Sequence, residues 1–316
     1  MLLLNQHPHN KSIMCSVMGA PNVGKSSLIN HLLGTDLAIV SPRPQTTRNS
    51  FHCVFTIDLT EIILVDTPGL HHSSKDFNQR INESAREGSE GADINLLLIE
   101  LTRPVLEQFQ NFKDLYQRPL QPVWAVFTKS DAIENAQELP LSLVMDKAKE
   151  IIPELAKHFL ISSKTGEGIE QLTGAILDEA KPGPHLYPRG DLSNKNSRFF
   201  VAEYIREEAF RLLRDELPYE LAVLVDRFVE TEKGTNVSAN ILVNRPSQRA
   251  IVIGQKGTMI KEIGTRARQK LKDLLGEEVH LNLHVKVAPH WSNNNFILEE
   301  IGLPRSNTMA RGWKKK

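Results

Sequence analysis

Along the first part of the chain, short apolar runs alternate with stretches whose apolar residues recur at helical spacing. Residues 13–18, 61–65, 94–101, 123–127 and 159–162 have strand length, and residues 26–33 carry an amphipathic helical pattern. That rhythm predicts βα units, hence an α/β domain with a mostly parallel sheet flanked by helices. Residues 181–197 contain prolines and glycines that cannot continue a helix, with few groups to bury, and read as an interdomain linker. Beyond them Val201, Tyr204, Ile205, Ala209, Leu212 and Leu213 recur at helical spacing, with Arg206, Glu207, Arg211 and Arg214 on the other side. Strand-like runs follow at 221–229, 237–243 and 249–253. A second helical pattern rests on Ile260, Ile263, Ala267, Leu271 and Leu274, and residues 279–287 alternate apolar with polar, as a half-buried strand does. The second domain is therefore α+β. The boundaries expected are a tail at 1–11, a first domain at 12–180, the linker at 181–197, a second domain at 198–290 and a C-terminal segment at 291–316, whose lysine tail at 314–316 reads as disordered.

Composition adds limits. With 316 residues, 40% hydrophobic and 24% charged, the chain has room for two ordinary cores. Cys15 and Cys53 form no Cys-x-x-Cys pair, so neither a disulfide framework nor a zinc site is suggested, and a reducing, cytoplasmic setting fits. No apolar run approaches the roughly 20 residues that span a bilayer, and the start lacks the features of a signal peptide or presequence. Residues 1–194 hold 17 Lys and Arg against 23 Asp and Glu, whereas residues 195–316 hold 21 against 15, so the halves carry −6 and +6. A basic second half is a modest pointer to a polyanionic partner.

Chemistry enters with Gly19-Ala20-Pro21-Asn22-Val23-Gly24-Lys25-Ser26, placed between a strand-like run and a helical one as a phosphate-binding P-loop must be. Glycines let backbone N–H groups turn inward around phosphates, and the helix that begins here and includes Ser27 adds a favourable dipole. Lys25 would reach the β- and γ-phosphates, and the Ser26 hydroxyl would ligate Mg²⁺. Asp66-Thr67-Pro68-Gly69 follows a buried strand; alone it is a β-turn, but after a P-loop Asp66 would hold Mg²⁺ through water and the Gly69 N–H would sense the γ-phosphate. Upstream, Gln45-Thr46-Thr47-Arg48 lies in a proline-broken stretch suited to a loop that closes on Mg²⁺, with Thr47 favoured as ligand over Thr46. Thr128-Lys129-Ser130-Asp131 ends another apolar run. The Asp131 carboxylate can accept from guanine N1–H and the exocyclic amine, whereas adenine offers neither, which disfavours an adenine-nucleotide enzyme. Lys129 would lay its stem along the base. Ser162-Ser163-Lys164, by itself an ordinary strand-to-loop turn, would bring a backbone N–H near Ser163 to guanine O6.

In this order the motifs resemble the translation-factor-related GTPases of the Era and EngA type. A single P-loop followed by Arg249-Ala-Ile-Val-Ile-Gly-Gln-Lys-Gly257 and Ile263-Gly-Thr-Arg-Ala-Arg268 is similar to the Era family, over roughly residues 12–303. The resemblance implies a P-loop GTPase domain followed by a type II KH domain. It also implies binding of GTP/GDP with Mg²⁺, GTP hydrolysis, binding near the 3′ end of small-subunit ribosomal RNA and assistance to assembly of the small (pre-30S-type) subunit. A monomer is expected, cytoplasmic and in part peripheral to the membrane. Thr128 and Ser163 stand where the family usually has Asn and Ala, residues 71–80 differ from its usual switch sequence, and the surroundings of Trp291 are less basic. Ras-type enzymes place a water-orienting glutamine where this chain has Leu70. In related cation-dependent GTPases a P-loop asparagine helps hold K⁺, and Asn22 matches it, so hydrolysis is expected to be slow and potassium-stimulated. Catalysis would rest on Lys25, Thr47, Gly69 and Asn22. The alternative is a nucleotide-regulated RNA-binding module without significant hydrolysis.

The RNA side rests on Gly254-Gln255-Lys256-Gly257, where missing β-carbons let backbone approach phosphates. Read with a strand before it and a helix after it, this matches a KH loop. Lys256, Lys261 and Arg266 are the candidate contacts, with Arg268, Lys270 and Lys272 on the same helix. Ile251 and Ile253 could face bases, though core packing is their commoner role. His280 and His284 share a strand face but lie roughly 13 Å apart, too far to share a metal. His71 and His72 could face phosphate or merely solvent.

Overall fold

The computed structural model describes residues 6–41, 43, 46–71, 76–118 and 120–304. The expectations for Gln45, His72 and the tail at 314–316 lie outside them. The chain divides into two compact units, one running to Asn194 and one from Lys195, the second also taking in Ser41, Arg43, Thr46 and residues 76–80.

The first unit follows the alternation in its sequence: β1 (Lys11–Gly19), α1 (Lys25–Leu33), β2 (Phe51–Ile57), β3 (Thr60–Asp66), α2 (Asp76–Ser89), β4 (Ile94–Glu100), α3 (Val105–Leu115), β5 (Val123–Thr128), α4 (Leu141–Ile151), β6 (Leu155–Leu160), α5 (Ile169–Glu179) and the short β7 (Lys181–Pro182). Among the described residues the strand order is β2-β3-β1-β4-β5-β6, with β7 paired antiparallel to β1. Every residue of β4 and β5 is buried, as strands covered by helices on both faces require. Phe109 and Phe112 of α3 and Met145 and Ala148 of α4 pack on Leu97, Ile99, Ala125 and Phe127. Register positions the motifs: Val17 is opposite Asp66, Gly19 opposite Leu98, and Glu100 opposite Thr128. All the nucleotide motifs thus emerge at the carboxyl edge of one sheet, where open α/β sheets hold their ligands.

The stretch expected to be a linker contains the boundary between the units, and most of it packs on the first unit. Its backbone lies along the sheet: the Val54 N–H donates to Leu192 O at 2.9 Å, the His52 N–H to Asn194 Oδ1 at 2.9 Å, and the Ser193 hydroxyl to His52 O at 2.6 Å. The buried Glu61 carboxylate accepts from the N–H groups of Leu186 and Tyr187 at 2.7 and 3.1 Å. Composition shows that a segment cannot be helix; it does not show that its backbone finds partners on a neighbouring edge.

In the second unit α6 (Ser197–Leu212) precedes β8 (Leu221–Thr231), β9 (Gly234–Val243), α7 (Pro246–Ile253), α8 (Thr258–Leu275), β10 (Val279–Val287) and α9 (Asn295–Glu300). The sheet order is β10-β9-β8, with β8 antiparallel and β10 parallel to β9. Val201, Ile205 and Ala209 of α6 and Ile263, Ala267 and Leu271 of α8 meet Val223, Ala239, Ile241 and Val285 of the sheet in one core. One expectation is corrected. Residues 249–253 form the end of α7, not a strand: Pro246 occupies the first turn and the Gln248 side chain accepts from the Asn244 and Arg245 N–H groups at 2.9 and 3.0 Å. An eight-residue helix that buries only Val252 is too short to show a period. The charged side of α6 is only partly solvated: Arg211 and the following Arg214 are exposed. Arg206, Glu207 and Glu208 are buried, held in pairs by Glu203, Arg211 and Lys270.

Candidate nucleotide site and RNA-facing loop

The turn from β1 into α1 depends on backbone conformations that side chains resist. Gly19 has φ +140°, and a Cβ there would lie 2.6 Å from Leu98 O; Gly24, at +101°, caps α1. Asn22 adopts φ +65° in the middle of the loop and is half-buried, as are Pro21, Ser26 and Ser27, while Val23 is fully buried. Lys25 is buried, and its ammonium donates to Ala20 O at 2.8 Å and Gly19 O at 3.2 Å, inside the cradle. Burial lowers its pKa to about 8, against the opposing pull of the Asp66 charge.

Three oxygens meet beside this ammonium. Ser26 Oγ and Thr47 Oγ1 are 3.3 Å apart, and each donates to Asp66 Oδ2 at 3.3 Å. They come from α1, from the segment before β2 and from the end of β3. The Thr46 hydroxyl is bonded to Arg43 O at 2.8 Å. Two hydroxyls and a carboxylate are a hard oxygen set suited to Mg²⁺. Thr67 donates to Val17 O at 2.6 Å, fixing the turn after β3 to β1. Pro68 is buried, and Gly69 approaches the P-loop so closely that a Cβ would lie 2.7 Å from Pro21 N. Leu70 packs in the core with Met18, Leu97 and Ile99, away from this cluster. The half-buried His71 is held by its neighbours: its Nδ1 is 3.1 Å from Gly69 O, and its carbonyl accepts from Asn82 at 2.8 Å.

At the base-recognition end, the Thr128 hydroxyl donates to Val23 O at 2.7 Å and so ties the end of β5 to the P-loop. Lys129, at φ +62°, pairs with Glu100 at 2.7 Å. Asp131 accepts from the buried Ser162 hydroxyl at 2.7 Å and lies 3.6 Å from the Lys164 ammonium; the Ser162 bond, above all, holds its carboxyl below the usual aspartate range. Ser163 O meets His31 Nδ1 at 3.1 Å. Sequence reasoning missed Glu100 and His31. Glu100 had a signal, an acid closing a strand that is otherwise buried and almost wholly apolar; His31 had none.

In the second unit, Gly254 (φ +73°) ends α7 and Gly257 (φ +79°) caps α8. A Cβ on Gly254 would lie 2.8 Å from Met259 N, whereas Gly257 faces open space. Gln255 and Lys256 are exposed between them, and Ile251, 56% exposed, stands on the outer face of α7. The loop therefore joins two helices. Of the basic residues on α8, Arg266 pairs with Glu262, Lys272 with Glu278, and Lys270 with the buried Glu207 and Glu208, while Lys261 is exposed. His280 and His284 lie on the exposed face of β10.

A phosphate loop, a hydroxyl–carboxylate cluster and a guanine-type aspartate on one sheet edge, followed by a helix–Gly-x-x-Gly–helix unit, define a P-loop GTPase joined to a KH domain. The sequence family described as a 50S ribosome-binding GTPase matches residues 14–129, and the KH domain family matches residues 216–292. GTPase Era of Crocosphaera subtropica is 38% identical over 296 residues, covering 92% of each chain, and that of Geobacter sp. strain M21 is 38% identical over 296 residues, covering 92% of this chain and 97% of its own. The chain belongs to the Era family of GTPases. A crystal structure of Era with MgGDPNP and nucleotides 1506–1542 of 16S ribosomal RNA superposes with a TM-score of 0.84 at 33% identity, over 93% of this chain and 99% of that one. An Aquifex aeolicus Era variant bound to GDP·AlF4⁻ gives the same score and identity, over 92% and 99%.

Proposed function

We propose that this protein binds and hydrolyses GTP and, through its KH domain, binds the 3′ region of small-subunit ribosomal RNA to assist assembly of the small subunit. The meeting of Ser26, Thr47 and Asp66 beside Lys25 is the observation that carries the nucleotide half. The Gly-x-x-Gly unit carries the RNA half, together with the 16S fragment held by the Era structure at 33% identity.

When GTP enters, its phosphates displace the Lys25 ammonium from Gly19 O and Ala20 O and take its hydrogen bonds instead. The backbone N–H groups of the P-loop surround the same phosphates. Ser26, Thr47 and Asp66 would hold Mg²⁺, which would supply charge neutralisation for the phosphates. Gly69 N–H reports the γ-phosphate, and Asp131 selects guanine. Leu70, buried in the core, orients no water, so turnover is slow. Asn22 in the P-loop would help hold K⁺ against the phosphates, which would make hydrolysis potassium-stimulated.

The protein acts as a monomer on the nascent small subunit in the cytoplasm; among the described residues no helix is long and apolar enough to cross a membrane. Single-turnover hydrolysis in KCl and in NaCl, with and without a 16S 3′ fragment, tests this reading. Faster hydrolysis in KCl is expected. Equal rates in the two salts would remove the role of Asn22, and no hydrolysis in either would leave an RNA-binding module whose nucleotide is structural.

A further inference from the structure

Guanine recognition needs Asp131, on the loop after β5, to be held in register with Ser162–Lys164 on the loop after β6. We propose that Glu167 is the positioning residue that clamps these two loops together and thereby sets base specificity. This rests on the guanine-binding reading above.

Glu167 reaches the first loop with its side chain and the second with its backbone. Its Oε2 accepts from the Ser130 hydroxyl at 3.0 Å, and Ser130, buried, immediately precedes Asp131. Its carbonyl accepts from the Ser162 N–H at 2.9 Å, and the Ser162 hydroxyl in turn donates to Asp131. Its Oε1 accepts from Gln137 at 2.6 Å, which fixes the carboxylate in place. The loop has little freedom to supply this geometry otherwise. Gly166 N–H donates back to Ser162 O at 2.9 Å, and Gly168, at φ +72°, lies so close to the end of β6 that a Cβ would sit 2.0 Å from Leu160 O. One residue therefore holds the neighbours of Asp131 from both sides. Without the carboxylate the Ser130 hydroxyl loses its acceptor, and Asp131 is left to the Ser162 hydroxyl and the Ser130 N–H bond to Ile161 O at 3.2 Å, so its two hydrogen bonds to guanine are less well aligned together.

The test compares GTP and ITP, whose base lacks the exocyclic amine and so forms one bond fewer with Asp131. Glu167→Ala is expected to raise Kd for GTP roughly tenfold and for ITP by less, shrinking the GTP/ITP preference, while the hydrolysis rate of bound GTP stays within about twofold. Glu167→Gln, which keeps an acceptor for Ser130, should restore most of the preference. Ser130→Ala should reproduce the loss, and the double variant should add nothing to either single one. Equal losses for GTP and ITP, additive losses in the cycle, or unchanged affinities would each overturn the clamp. A wild-type protein with no preference for GTP over ATP would overturn the guanine reading and the clamp with it. Wild-type preference with unaffected variants overturns the clamp alone.

Discussion

Lys25 donates to two carbonyls of the P-loop, and its charge is held there at a cost. Burial lowers its pKa from 10.5 to about 8, so near pH 8 about half of the ligand-free molecules carry it neutral. Phosphate oxygens favour the ammonium, so GTP binding takes up a proton. Calorimetry at pH 8 in two buffers of different ionisation enthalpy should show uptake of about half a proton, falling toward zero at pH 7. Between about pH 8 and 10.5 the unfolded chain keeps a proton that the folded one has lost, so in that window this group makes ligand-free stability rise with pH. Thr128 invites a second measurement. Its buried hydroxyl bonds Val23 O, and Thr128→Val leaves that carbonyl without its partner. Unfolding free energy should drop by about 1–3 kcal/mol and GTP affinity should weaken, both readable in a thermal melt with and without nucleotide.

At the scale of elements, the site was legible where chemistry demands fixed residue types at fixed spacing. The P-loop, the turn after β3 and Thr128–Asp131 could be read because glycine, lysine and carboxylate have few substitutes there. Glu100 was not legible as a partner, since its meeting with Lys129 depends on the register of β4 against β5. Helix α7 was misread for another reason: Ile251, Val252 and Ile253 have strand propensity, while the capping by Pro246 and Gln248 decides the outcome. The burial of Arg206 and Glu207 on α6 was not legible, because a sequence shows charge without its partners. Lys270 of α8 reaches Glu207 at 2.6 Å and Glu208 at 3.3 Å, both buried. Burial still pushes the Glu207 carboxyl up, against the pull of Lys270 and Arg211. Removing the lysine leaves the two buried carboxylates to the exposed Arg211, at 2.6 and 3.7 Å. Lys270→Met should destabilise the protein by about 3–5 kcal/mol in urea, and adding Glu207→Gln should recover part of that loss.

Over the whole molecule, net charge is zero while residues 195–316 carry +6. RNA affinity should therefore fall steeply with salt despite overall neutrality. Lys256 and Lys261 are exposed near the Gly-x-x-Gly loop, whereas Lys270 and Lys272 are engaged with glutamates. Lys256→Ala and Lys261→Ala should each weaken binding of a 16S 3′ fragment and lower the slope of log K against log salt by about 0.7, measured by fluorescence anisotropy. Lys272→Ala should change that slope little.

The segment that lies along β2 has one more consequence. An open sheet ends in rows of unpaired N–H and C=O groups, a template on which another chain can add a strand. Here β2 is one such margin, and residues 192–194 lie against its backbone from His52 to Val54. The opposite margin, β6, carries the exposed Lys157 and His158, which discourage pairing by charge and polarity. The strand edges of the larger sheet are thus guarded against aggregation, one by the chain's own backbone and one by its side chains.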